Sequence, residues 1–84
     1  MFKLDKSAMV RAMKQSAGIT SKDLAVALNT TRPYIDNKLH RNSWSLEDIL
    51  VVAEVCKVDL LYSNGSLGFR DRNGKWEECM RYKK

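Results

Sequence analysis

The stretch TSKDLAVALNTTRPYIDNKLHRN, residues 20–42, contains two helix starts separated by a break at Asn29. Thr20 followed by Asp23 is a capping box, which predicts a helix over about residues 21–28. Asparagine tolerates the left-handed conformation better than most residues other than glycine, so Asn29 suits a tight turn. The stretch therefore predicts two short helices joined by a turn.

The second helix of this pair is mostly polar. Thr30 or Thr31 can cap it, and a proline falls in its first turn, where the missing N–H costs no hydrogen bond. It is predicted to run to about Arg41, and its apolar positions are essentially Ile35 and Leu39. A helix that only fills a core has a wider apolar stripe, so we expect the remaining face to contact another molecule.

Further helices are predicted on both sides of this pair. Residues 5–17 carry apolar side chains at helical spacing and stop at Gly18, the usual residue after a helix. After the loop RNSWS, Ser45 and Asp48 form a second capping box. The apolar face of this fourth helix consists of Leu46, Ile49, Leu50, Ala53 and Cys56. The segment VDLLYS, residues 58–63, is predicted to add one more short turn of helix.

The last part of the chain reads as a β-hairpin. Asn73-Gly74 is a strong turn signal and lies between segments rich in aromatic residues. A two-residue turn there predicts three facing pairs: Asp71 with Trp76, Phe69 with Glu78, and Leu67 with Met80. The apolar members of these pairs, which then share one face, are Leu67, Phe69, Trp76 and Met80. An isolated hairpin is marginal in water, so this face must rest on the helices or form a dimer interface.

Length and composition narrow the classes of function. The 84 residues suffice for one domain with a modest core, but not for two lobes around a deep cleft. The two cysteines, Cys56 and Cys79, form no C-x-x-C pair and accompany a single histidine, so neither a zinc site nor a disulfide framework is indicated. No nucleophile with a base and no phosphate loop can be assembled, which predicts no enzymatic activity, no cofactor and no small-molecule substrate. The chain also has no membrane-spanning run and is predicted to be cytoplasmic.

Positive charge is concentrated in the first half of the chain. Residues 1–46 contain 8 Lys and Arg against 3 Asp and Glu, whereas residues 47–84 contain 7 of each kind. The formal charge of +5 therefore comes from the half that contains the helix pair. This asymmetry favours a polyanionic partner.

Two helices joined by a tight turn, with the second helix polar on its outer face, are the arrangement of a DNA-binding helix-turn-helix. The segment LAVALNTTRPYIDNKL, residues 24–39, resembles the core motif of the Cro and lambda-repressor-like regulators of bacteriophages and bacteria. The segment SLEDILVVAEVCKVDLLY, residues 45–62, resembles the helices that follow this motif. The likeness covers about residues 6–62, with two departures: Asn29 replaces the usual turn glycine, and Lys38 occupies an often apolar position.

The resemblance implies a mainly α fold, a lambda-repressor-like helix-turn-helix bundle of four to five helices with a C-terminal β-hairpin. The DNA-binding part would span residues 1–62, with the motif over 20–41 and the recognition helix over about 31–41. Residues 63–84 would be a hairpin extension of the same domain, available for dimerisation.

Candidate base-reading residues lie on the polar face of the recognition helix. Arg32 can grip guanine O6 and N7 bidentately, although a phosphate contact or an ion pair with Asp36 is the alternative. Asn37 can bond adenine or remain solvated, and Pro33 or Tyr34 can touch a thymine methyl group, while Tyr34 could instead pack between helices. Asp36 either accepts from cytosine or, as we favour, orients Arg32.

Candidate phosphate contacts flank this helix or begin the preceding one, where exposed N–H groups favour an anion. They are Ser21, Lys22, Thr31, Lys38, Arg41, Asn42 and Ser43. The predicted function is a transcriptional regulator that binds a palindromic double-stranded DNA operator as a homodimer. The alternative is a protein-interaction module on the same scaffold, acting as an antirepressor or as an inhibitor of a host protein.

Overall fold

The computed structural model describes residues 5–81. Four helices come first in the chain: α1 (Lys6–Ala17), α2 (Ser21–Ala27), α3 (Arg32–Arg41) and α4 (Leu46–Cys56). Three strands follow: β1 (Asp59–Ser63), β2 (Ser66–Arg70) and β3 (Trp76–Arg81). They form one antiparallel sheet in the order β1-β2-β3. The four predicted helices are confirmed, and the fold class over these residues is mixed α/β.

The helix starts are fixed by local hydrogen bonds. Thr20 Oγ1 accepts from Asp23 N at 3.1 Å, and Thr20 N donates to Asp23 Oδ2 at 2.9 Å. Ser45 and Asp48 make the same reciprocal pair at the start of α4, both bonds being 3.1 Å long. Each capping box satisfies two N–H groups that would otherwise lack a partner, which explains why both starts were predictable.

The turn between α2 and α3 is a Schellman motif. Asn29 adopts a left-handed conformation with φ 56°. Thr30 N donates to Ala25 O at 2.9 Å, and Asn29 N donates to Val26 O at 3.2 Å. These bonds satisfy the last carbonyls of α2 and turn the chain directly into α3, so asparagine performs the role expected of a glycine here.

The core lies between the helices and one face of the sheet. Its largest fully buried side chains belong to Trp44, Phe69, Met13, Leu24, Ile35, Ile49, Val10 and Val52. Trp44 is the loop residue between α3 and α4, and its Nε1 donates to Ser7 Oγ of α1 at 3.1 Å. The loop is therefore anchored inside the protein.

The predicted helical turn over residues 58–63 is wrong, since β1 occupies most of this segment. Asn64 and Gly65 have φ values of 51° and 79°, which makes a two-residue hairpin turn between β1 and β2. β1 pairs along its length with β2, so the sheet begins at Asp59, and the predicted division between residues 62 and 63 falls inside a strand.

The predicted register of the β2–β3 hairpin is only partly right. Leu67 faces Met80 as predicted, but Phe69 faces Glu77 and Arg70 faces Trp76. An irregularity between Leu67 and Gly68 shifts the register by one residue. Because side chains alternate along a strand, Trp76 lies on the opposite face of the sheet from Phe69.

Candidate nucleic-acid interface

The α2–turn–α3 unit has a buried side and an exposed side. Leu24 and Ala25 of α2 and Ile35 and Leu39 of α3 are all buried. A small residue at Ala25 lets the two helices approach each other closely where they pack. The packing fixes α3 by its apolar side and leaves its polar side to solvent.

The residues predicted to read bases are all exposed on α3: Arg32, Pro33, Tyr34, Asp36 and Asn37. Arg32 Nε lies 3.5 Å from Asp36 Oδ2, with the two side chains 68% and 52% exposed. An exposed pair of this kind at i, i+4 contributes only about 0.2–0.5 kcal/mol to helix stability. Its consequence is geometric, since Asp36 holds one nitrogen of the guanidinium and the others stay available to a ligand.

Lys38 is held by contacts inside the protein, and its predicted phosphate contact stays a prediction. Its Nζ donates to Asp48 Oδ2 at 3.0 Å and to the Ser43 carbonyl at 3.1 Å. The ammonium also lies 5.3 Å from the ring centre of Tyr34 and 5.5 Å from that of Trp44. Lys38 therefore ties α3 to the start of α4 and helps to set the orientation of α3.

The hydrogen bond to Asp48 raises the pKa of Lys38. The pKa of Asp48 is lowered, first by the hydrogen bond from Ser45 N and also by Lys38. Asp48 was predicted only as a capping residue, and its contact with α3 is a feature that sequence reasoning missed. A lysine at an apolar helical position was the available signal, because such a lysine needs a carboxylate.

Asn42 is also used inside the protein. Its Oδ1 accepts from Ser7 N at 2.8 Å and so caps the start of α1. Ser7 Oγ in turn donates to Lys38 O at 3.4 Å. Asn42 thus positions the end of α3 against α1 through its side-chain oxygen, while its amide nitrogen is the group that would donate to a phosphate.

The remaining phosphate candidates lie at the surface or close to it. Lys22, Thr31, Arg41 and Ser43 are exposed, and Ser21 is half-buried at the start of α2. Thr31 Oγ1 accepts from Tyr34 N at 3.3 Å, which caps α3. Lys14 was not predicted as a contact, yet its ammonium donates to Ser21 Oγ at 2.7 Å and adds positive charge beside the start of α2.

The predicted hairpin interface does not form one surface. Phe69 is 1% exposed and belongs to the core, so it cannot contact a second subunit. Leu67 and Met80 are half-buried, and Trp76 is exposed on the other face of the sheet. The hairpin loop explains the difference: Asp71 N donates to Lys75 O at 2.9 Å, so three residues rather than two connect the strands, and this one-residue shift moves Trp76 to the opposite face.

The two cysteines show no activation as nucleophiles. Burial raises the pKa of the Cys56 thiol and raises that of Cys79 to about 11, so both stay protonated at neutral pH. Over residues 5–81, no group of three or more His, Cys, Asp or Glu side chains could hold a metal ion. Within the same span, every helix is too short or too polar to cross a membrane.

Comparisons with protein families, with curated proteins and with solved structures found no match to this chain. A function for α3 must accordingly come from the chemistry of its exposed face and from the contacts that hold it.

The Lys38–Asp48 contact predicts a pH-dependent stability. We expect Asp48→Asn to lower the free energy of unfolding at pH 7 by about 1 kcal/mol, because it leaves the largely buried ammonium of Lys38 without its carboxylate. The expected loss is this small because Asp48 is partly exposed and water screens the contact. Since the pKa of Asp48 is lowered from 3.8, its contribution is present above that pH and lost as the pH falls through the lower folded value.

Urea denaturation at pH 7 and pH 3 measures this effect. The matched control is Glu47→Gln, an exposed carboxylate in the same first turn of α4, which should leave stability nearly unchanged. The contact would be unimportant for stability if Asp48→Asn and Glu47→Gln gave the same result at pH 7.

Proposed function

We propose that this protein is a transcriptional regulator that reads double-stranded DNA in a sequence-specific manner, as its resemblance to Cro and lambda-repressor-like proteins implies. The observation that carries the proposal is the two-sided character of α3. Ile35 and Leu39 anchor it in the core, while Arg32, Asp36 and Asn37 face solvent on a helix held by three neighbouring segments. A rigid, polar, outward-facing helix of this size fits the major groove.

The proposed readout uses the exposed end of α3. Arg32 donates two hydrogen bonds to guanine O6 and N7, and Asp36 keeps its guanidinium in place through the 3.5 Å contact. Asn37 follows one turn later and can bond the N6 and N7 edge of adenine. Pro33 and Tyr34 supply apolar surface for a thymine methyl group.

Positioning on the DNA backbone is assigned to Ser21, Lys22, Thr31, Arg41 and Ser43, all at or near the surface. Phosphate contacts of this kind set the orientation of a protein on the duplex without reading its sequence. Lys38 and Asn42, the other two predicted phosphate contacts, also hold α3 against the rest of the fold.

One helix reads only a few base pairs, so useful affinity requires two copies on half-sites about 34 Å apart. A homodimer on a palindromic operator meets this requirement. The proposal therefore includes self-association as well as DNA binding.

Selection of binding sites from a randomised duplex pool, repeated at two salt concentrations, tests the proposal directly. We expect a palindromic consensus. With a duplex of that sequence, Arg32→Ala should cost about 1–3 kcal/mol, or about 5–150-fold in affinity, for each half-site and relax the preference at one base of each. Fluorescence anisotropy measures the affinity.

Arg72→Ala is the matched control, because it removes one exposed arginine from the hairpin loop. It should lower affinity only slightly and leave the consensus intact. Retention that vanishes with salt and yields no consensus would instead indicate non-specific binding by the basic half. A protein partner that remains bound after Arg32→Ala would support the alternative, a protein-interaction module.

A further inference from the structure

An apolar groove lies on the side of the protein formed by α4 and β1. Its lining residues are Lys6, Met9, Leu46, Ile49, Leu50, Leu60, Leu61, Tyr62 and Leu67. Three of the apolar side chains are strongly exposed: Leu46 at 69%, Leu50 at 53% and Tyr62 at 64%. Contiguous exposed apolar surface is costly in water and usually marks an interface.

The edge of a β-strand borders this groove. Side chains alternate between the faces of a strand, so Leu60, Leu61 and Tyr62 can all line one groove only where the strand edge meets it. Among residues 5–81, β1 has a neighbouring strand on one side only. The outer edge therefore offers backbone hydrogen-bonding groups next to apolar side chains.

The two ends of the groove carry opposite charges. Lys6 lies at the Leu46 end, because the adjacent Ser7 bonds Asn42 and Trp44 just before α4 begins. Glu54 and Asp59 line an adjoining depression that begins at Leu50. Leu46 and Glu54 are separated by about 12 Å along α4, given the rise of a helix per residue.

These charges oppose the dipoles of their own helices. Lys6 is the first residue of α1, where the only carboxylate at the helix start is that of the N-cap Asp5, which accepts from Ala8 N. Glu54 lies in the last turn of α4, where the nearest basic residue in sequence is the C-cap Lys57. A cation at a helix start and an anion at a helix end are both unfavourable, so neither residue is placed to stabilise its own helix.

We propose that the occupant of this groove is a second copy of this chain, packed about a two-fold axis. In such an isologous contact the Lys6 end of one copy meets the Glu54 and Asp59 end of the other. If the two β1 edges pair antiparallel about Leu61, the Lys6 end of each copy again meets the Glu54 and Asp59 end of the other. The contact thus covers the apolar surface and pairs both unfavourable charges at once.

This dimer leaves the DNA-reading face free. None of the groove residues belongs to α3. The inference rests on the proposed function in one respect, since it assigns a specific surface to the homodimer that operator binding requires. The groove takes the place of the hairpin face that the sequence predicted as the dimer interface.

Sedimentation equilibrium of the full chain at micromolar concentrations tests the inference. We expect twice the monomer mass of 9.7 kDa for the unmodified protein and the monomer mass for Leu50→Glu. Val26→Glu is the matched control, because Val26 is 75% exposed on α2 outside the groove, and it should remain dimeric. Circular dichroism establishes that each variant is folded.

A charge exchange makes the test sharper. Lys6→Glu and Glu54→Lys each improve the match with the helix dipole, so each single variant should unfold at the same or a higher temperature at a protein concentration low enough to keep all of them monomeric. Each should nevertheless weaken the dimer at least several-fold, because like charges then face each other across the axis. The double variant should restore the dissociation constant, an effect that a general loss of stability cannot produce.

Three outcomes would overturn the inference: a monomeric unmodified protein, a dimer unaffected by Leu50→Glu, or a dimer disrupted by Trp76→Asp in place of Leu50→Glu. Its failure is distinguishable from failure of the proposed function. A monomer that selects a DNA consensus refutes only the interface, and a groove-dependent dimer that selects none refutes only DNA reading.

Discussion

Trp44→Ala is expected to lower the free energy of unfolding by about 3–5 kcal/mol, a large part of the about 5–15 kcal/mol that stabilises a typical domain. Trp44 is 2% exposed and is the largest side chain of the core. Its loss removes apolar burial, leaves a cavity, and deprives Ser7 Oγ of the hydrogen bond from Nε1.

The effect should extend to α3. Ser7 links three contacts, since its Oγ bonds Trp44 and Lys38 and its N–H bonds Asn42. The ring of Trp44 also lies under the Lys38 ammonium at 5.5 Å. Trp44→Ala therefore removes both the hydrogen bond to Ser7 and the ring beside the Lys38 ammonium. As a result, α3 should lose its fixed orientation.

Urea denaturation followed by circular dichroism measures the loss of stability. Trp44→Phe keeps an aromatic ring but removes the N–H, so it should cost clearly less than Trp44→Ala. Trp76→Ala removes the other tryptophan, which is 39% exposed, and should cost least. An equal loss for Trp44→Ala and Trp76→Ala would contradict the central place of Trp44 in the core.

Helix positions were predictable because their determinants are close in sequence. The capping boxes of α2 and α4 join residues three positions apart, and the turn at Asn29 depends on one residue that tolerates a positive φ. Such signals can be read without knowledge of the tertiary contacts.

The sheet was less predictable because its determinants are tertiary. VDLLYS is compatible with a helical turn or with a strand, and the pairing of Leu60 with Phe69 decides between them. The turn signal Asn64-Gly65 was present and pointed to the correct answer. The bulge beside Gly68 had a weaker signal, since an isolated glycine inside a strand suggests a bulge or a close backbone approach but does not fix the register.

The candidate site shows the same division. The exposed face of α3 follows from the helical period, so Arg32 and Asn37 were placed correctly on the surface. The internal contacts of Lys38 and Asn42 were missed because their partners lie far away in sequence: Asp48 is 10 residues from Lys38, and Ser7 is 35 residues from Asn42. Polar residues on and beside α3 therefore also hold it in place.

Gly68→Ala is expected to lower the free energy of unfolding by about 3 kcal/mol, the upper part of the usual range for overpacking. A Cβ atom on Gly68 would overlap the Glu77 carbonyl oxygen and lie 2.9 Å from both Glu78 Cα and Trp76 Cη2. Backbone atoms cannot move aside as a side chain can. Because β2 is the central strand, displacement of β3 would disturb the whole sheet.

Gly74→Ala separates this clash from the general cost of replacing glycine. Gly74 has φ 81° and open space around its Cα, so alanine there meets backbone strain of about 1–2 kcal/mol but no neighbouring atom. In thermal denaturation, Gly68→Ala should unfold at a lower temperature than Gly74→Ala. Adding Trp76→Ala to Gly68→Ala should not restore stability, since the overlap with the backbone of β3 remains; full recovery would instead assign the clash to the tryptophan ring.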